Sequence, residues 1–163
     1  MFIVKHLATF LCSKLEDHYT VSTAALPGLS SLLQSKLDSL AITSDDERVN
    51  ANEIKLNVIK SVLRDIHVQS MIQADRNIVF NMCKFMLGSD ERVQLIKSEN
   101  YETDFVYGFI QAMDGEKDPR NLLVCFECLK LICQHLKLGP FVDETFEVFS
   151  CYFPIDFTPV RIY

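Results

Sequence analysis

Asp104-Phe-Val-Tyr-Gly-Phe-Ile-Gln-Ala-Met-Asp114-Gly-Glu-Lys-Asp118-Pro-Arg-Asn-Leu-Leu-Val124 is the stretch that decides the fold. It reads as one helix, a tight acidic turn, and the opening of a second helix. Asp118 is placed to cap that second helix. Pro119 takes its first position, where a missing N–H costs nothing. An apolar helix follows, so the stretch is the joint of a helical hairpin. An echo lies upstream: Asp75-Arg76-Asn77-Ile78 matches Asp118-Pro119-Arg120-Asn121-Leu122, with Arg76 and Arg120 44 residues apart. Asp17-His18-Tyr19-Thr20 is a third, poorer match; its larger offset is roughly what an insertion at Ser44–Asn52 would add. Two-helix repeats with a period of ~40–47 residues are the HEAT/armadillo class. Asp caps are common, so the pattern alone puts an α-α superhelix only slightly ahead of an irregular bundle.

Composition narrows the class. The chain has 163 residues, enough for one ordinary domain. Apolar residues make up 48% and charged residues 23%, so it can bury a core. Five glycines and five prolines are too few for the turns of a β-sandwich or barrel. The formal charge is −6, and no block is rich in Lys and Arg. Nucleic-acid affinity comes largely from neutralising phosphates, so direct nucleic-acid binding is not expected. No apolar stretch approaches the length of a membrane span. The apolar start Met1-Phe-Ile-Val meets Lys5 and His6 at once, unlike a signal peptide. Cys12, Cys83, Cys125, Cys128, Cys133 and Cys151 lie in apolar helical segments, which fits reduced thiols in the cytoplasm or nucleus.

Helices are expected at 2–16, from about Thr20 to Leu40, and at 53–66. In the second of these, Pro27-Gly28 should kink or start the helix. Ser44 to Asn52, polar and acidic, reads as a loop. Asp75 should cap a helix that Gly88 stops. A short helix from Ser89 to Lys97 follows, then helices at 102–113, 119–137 and 140–152. In the helix at 119–137, Glu127, Lys130, Gln134 and Lys137 form one polar stripe and nearly everything else is apolar. Such a helix touches neighbours on several sides, as a solenoid helix does. The expected fold is therefore all-α: a superhelix of three to four hairpins over residues 1–153, with an irregular tail at 154–163. The apolar ends, Phe2-Ile3-Val4 and Val160 to Tyr163, suggest an array cut short.

Cys125-Phe-Glu-Cys128, with Cys133 and His135 nearby, invites a metal reading. The pair sits inside a continuous helix, and Cys128 and His135 lie about 10 Å apart along its axis. Free Cys is among the most buried residue types, so core packing is favoured. Asp114-Gly-Glu116-Lys117-Asp118 resembles the start of a calcium loop. Pro119 stands where the loop requires Gly, and Cys125 where it requires Glu. A solvated turn is expected instead, its exposed acidic tip able to meet a partner through Asp114, Glu116, Lys117 and Asp118. No Gly-rich phosphate loop or triad spacing appears, so nothing argues for catalysis or a cofactor. The closing segment is rich in aromatics, with Phe141, Phe146, Phe149, Tyr152, Phe153 and Phe157; it reads as core and the seat of a next repeat.

Phe105 to Val124, Leu138-Gly-Pro-Phe-Val-Asp-Glu144 and Ser150-Cys-Tyr-Phe-Pro-Ile-Asp-Phe-Thr-Pro159 closely resemble the amino-terminal region of one HEAT-repeat family. Weaker similarity extends through Ile66–Ser70 and Leu15–His18, while Val160–Tyr163 departs from the pattern. The family is the large targeting subunit of the cytosolic iron–sulfur assembly machinery, first named as a nucleotide-excision-repair and transcription factor for methyl-methanesulfonate sensitivity. The resemblance implies a non-enzymatic adaptor in cytoplasm and nucleus. Its partners would be a β-propeller subunit, a cluster-transfer subunit, and apo iron–sulfur clients such as DNA helicases and polymerases. It implies no resident cofactor and no cluster ligands in this region. The alternatives are a general protein-interaction solenoid in transcription and repair, a metal-binding protein using Cys125, Cys128 and Cys133, a direct DNA-binding factor, and a truncated product.

Overall fold

The computed structural model describes residues 2–35 and 45–153. Among them are eight α-helices, two 3₁₀ turns and no strand. The helices are α1 (Phe2–Ser13), α2 (Tyr19–Gln34), α3 (Asp45–Asp65), α4 (Gln73–Leu87), α5 (Asp90–Ser98), α6 (Glu102–Met113), α7 (Pro119–His135) and α8 (Val142–Ser150). The 3₁₀ turns are Val68–Ser70 and Gly139–Phe141.

Contacts sort the helices into two rows. α1, α3, α6 and α8 pack side by side in one, and α2, α4 and α7 in the other. Hairpins α1/α2, α3/α4 and α6/α7 thus stack in register, and α8 continues the first row. The short α5 links α4 to α6 and also touches α3. This is the all-α hairpin superhelix expected from the sequence. The rows meet over a continuous apolar core in which Leu26, Leu29, Phe80, Phe105, Phe109 and Ile132 are fully buried. α2 and α6 place these residues at three- and four-residue spacings, so one stripe faces the other row.

Several local expectations change. The polar stretch expected as a loop is, from Asp45 on, the first two turns of α3. Tertiary packing explains it: Ala51 is fully buried, and Glu53 holds Lys5 of α1 at 2.8 Å. Pro27 does not start α2, which runs through it. Burial of Leu26 and Leu29 on either side offsets the lost backbone bond. Asp75 is not the cap of α4; Ile72 is, and Asp75 sits in the first turn, where the helix dipole favours a carboxylate. Gly88 does end α4, but with φ −81 rather than in the left-handed form. α2 ends at Gln34, with Ser35 extended as its C-cap, short of the expected Leu40. The irregular tail expected at 154–163 lies outside the described residues.

Candidate functional site

The joint that decides the fold is built as its sequence suggests. α6 ends at Met113, and Asp114 follows as its C-cap. Gly115 has φ 76, a conformation that side chains disfavour. This reversal sends Glu116 inward, its backbone N–H donating to the Met113 carbonyl at 3.0 Å. Asp118 then caps α7, accepting from the Arg120 backbone N–H at 2.9 Å, with Pro119 at the first helical position. The Arg120 guanidinium also binds Asp118 and holds its carboxyl down at about 2. Asp118→Ala should lower Tm by a few degrees in thermal denaturation, and Asp118→Asn, which can still cap, should recover most of the loss. An unchanged Tm in the alanine variant would remove the cap from this account.

Glu116 is not part of an exposed tip. It is 4% exposed and forms the centre of a polar network. Arg76 of α4 clamps both of its oxygens, Nε at 2.7 Å and Nη2 at 2.8 Å. The Asn121 amide and the backbone N–H groups of Lys117 and Asp118 donate to it as well, each at 2.9 Å. Burial alone would raise this carboxyl. The Arg76 guanidinium and the other donors outweigh burial and hold it at about 2. The oxygens that a calcium loop would need are thus already engaged. Asp114 and Lys117 are exposed and Asp118 is half-buried, so three of the four expected contact residues reach solvent.

Sequence reading missed Arg76 and Asn121 as organisers, although the echo contained both. Asn121 is fully buried. Its side-chain oxygen accepts from Asn77 at 2.9 Å and from Gln73 at 3.1 Å. Asn77 and Asn121 are 44 positions apart, so the sequence period is a physical bond between neighbouring repeats.

The cysteines divide. Cys125 and Cys128 are buried on α7, and Cys83 is buried on α4. Burial pushes all three thiols up, Cys128 to about 12, and the Cys128 thiol donates to the Phe80 carbonyl at 3.6 Å. Cys133, expected in the core, is exposed, as is Cys151. α7 therefore does not bring Cys125, Cys128 and Cys133 to one point. Among the described residues no three His, Cys, Asp or Glu are placed to hold a metal ion. Leu123 also departs from expectation: it is 66% exposed, because it lies on the stripe of Glu127, Lys130 and Gln134.

What the sequence did not show is a furrow over the seam between α3 and α6. Its main cavity, about 440 Å³, has Lys60, Leu63 and Arg64 on one side and Asp104, Tyr107 and Gly108 on the other. A cavity of about 160 Å³ shares Leu63 and Gly108 with it. A third, about 340 Å³, shares Gln69, Ala112 and Asp114 with the second and ends at Gly115, Glu116 and Lys117. The furrow thus runs from Asn100, in the left-handed region at φ 51, down to the acidic turn. Lys60 lies over the Tyr101 ring, 5.0 Å from its centroid, and Gln69 bridges to the Gln111 carbonyl at 2.9 Å. Charge, aromatic surface and backbone groups are thus brought together along one trough.

Over residues 3–161 the chain matches the family described as Dos2-interacting transcription regulator of RNA-Pol-II. It is 43% identical over 158 residues to the MMS19 nucleotide excision repair protein homologs of Xenopus laevis and Homo sapiens. It is 30% identical over 159 residues to the MMS19 nucleotide excision repair protein of Drosophila melanogaster. These alignments take in 96% of this chain and 14% of each of the first two relatives, and 97% and 15% for the third. The chain therefore spans about one-seventh of the length of those relatives.

Proposed function

This chain belongs to the MMS19 amino-terminal family, and from that premise we propose that it is a non-enzymatic adaptor working in DNA repair and transcription. The family's description as a transcription regulator and its relatives' names as nucleotide excision repair proteins support that breadth of role. The observation that carries the adaptor reading is the furrow itself, a trough along the seam of the stacked hairpins lined by charged, aromatic and backbone groups. A solenoid repeat contacts only its neighbours, so its remaining surface is free for a partner.

The finer reading is that the adaptor serves the cytosolic iron–sulfur targeting complex. It would stand with a β-propeller subunit and a cluster-transfer subunit and help deliver clusters to apo-proteins of replication and repair, such as DNA helicases and polymerases. The resemblance of Phe105–Val124 and Ser150–Pro159 supports this. The clusters are cargo, held by the partners. The chain acts in cytoplasm and nucleus and touches neither nucleic acid nor membrane. Its net charge of −6 accords with the first point, and no described helix is long and apolar enough to cross a membrane.

The test is co-precipitation of the purified chain with apo iron–sulfur clients and with the other targeting subunits, with metal measured on the same sample. Capture of clients without stoichiometric metal is the expected result. Capture of transcription proteins alone would favour a general interaction solenoid. Stoichiometric iron or zinc on the chain would overturn the reading of its thiols as core.

A further inference from the structure

The two walls of the furrow carry opposite charge. On α3, Lys60 and Arg64 stand one turn apart. On the facing side stand Glu99 and Asp104, with Asp114 farther along. In a chain of net charge −6, the basic wall is a local departure. Among the described residues no ion pair joins the walls: Arg64 holds its neighbour Asp65, and Lys60 rests on the Tyr101 ring. The floor between them is Leu63 and Gly108.

We propose, resting on the adaptor reading above, that the furrow seats an extended segment of a partner protein in which acidic and basic residues alternate. Successive side chains of an extended segment point in opposite directions, so acidic residues at every second position would meet Lys60 and Arg64 while the basic residues between them meet Asp104 and Glu99. The length also fits: a helix of α6's size is roughly 18 Å long, the span of about five or six extended residues. A phosphate backbone would suit the α3 wall and be repelled by Glu99 and Asp104, which argues against nucleic acid.

The probes are two isomeric peptides, acetyl-(Glu-Lys)₃-amide and acetyl-Glu₃-Lys₃-amide, titrated into the ¹⁵N-labelled chain at low and physiological salt. The alternating peptide should bind about fivefold more tightly, through several weak exposed ion pairs. Its amide shifts should fall on residues 60–69 and 99–117 and weaken with salt. Reversing one wall alone, by Lys60→Glu with Arg64→Glu or by Glu99→Lys with Asp104→Lys, should abolish the preference. The double variant, with both walls reversed, should restore it, because the alternating peptide can slip by one residue and exchange sides; damage to the fold would not be rescued this way. Equal binding of both isomers, shifts elsewhere, or failure of the double variant to recover would overturn the proposal. Client capture with no peptide preference would remove this occupant and leave the adaptor standing. Peptide preference without client capture would do the reverse.

Discussion

Glu116→Ala is expected to lower the unfolding free energy by about 3–5 kcal/mol, measured by urea denaturation at pH 7. The size follows from what is left behind. Arg76, with a side chain only 19% exposed, loses both carboxylate oxygens and keeps only the Met71 carbonyl, at 2.6 Å from Nη1. Asn121 and two backbone N–H groups lose an acceptor in the same step. The effect also has a pH signature. The carboxyl's ordinary value of 4.5 is lowered to about 2 in the fold. A group depressed in this way stabilises the fold above its unfolded value, and that stability drains away as pH falls through the folded value. The contribution should therefore be whole at pH 7, begin to fade below about 4.5 and be largely gone near 2. A difference of that size corresponds to roughly 3 kcal/mol. Comparison with Glu116→Gln isolates it: the gap between wild type and variant should narrow as pH drops across that window. A gap independent of pH would mean that the ion pair is not what Glu116 contributes.

Gly108→Ala carries the next largest expected loss, about 1–2 kcal/mol, against the usual trend. In the middle of a helix alanine normally gains about 0.5–1 kcal/mol over glycine. Here a Cβ at Gly108 would lie 2.9 Å from the Leu63 Cβ and 3.4 Å from its Cδ1. The nearest atom is attached directly to the α3 backbone and cannot swing aside. Separating α3 from α6 should cost about 1–3 kcal/mol, enough to reverse the sign. Gly28→Ala is the contrast. Its new Cβ would meet the flexible end of Leu11 at 3.2 Å, so its stability should stay within about 0.5 kcal/mol of wild type. If both alanine variants are equally stable, the seam between α3 and α6 is looser than described.

The elements that sequence reading placed best are those specified locally. α6 spans Glu102–Met113 as its pattern indicated, and Asp118-Pro119 starts α7, because cap and proline act within a few residues. The misreadings share a different cause. The opening of α3 looked like a loop because its polarity is visible, whereas the packing of Ala51 and the pairing of Glu53 with Lys5 depend on another helix. Glu116 looked solvated because its partner, Arg76, lies 40 positions away. Leu123 looked buried because an apolar residue on a polar stripe carries no mark of its orientation. The furrow was illegible for the same reason: its walls come from α3 and from the segment from Glu99 through α6, which only the stacking of hairpins brings side by side.

The bond between Asn77 and Asn121 sets a rule for how the length of this chain can vary. Each residue advances a helix by about 100°, so removing two too many or too few would turn α7 by about 200° and carry Cys125, Cys128 and Ile132 away from α4. Excising residues 77–120 as a block would instead join Arg76 to Asn121 and preserve the Arg-Asn pair that opens both helices. Viable gains and losses of sequence across this joint are therefore quantised in whole hairpins, and the asparagine that fixes the phase is the residue by which an inherited duplication could be recognised.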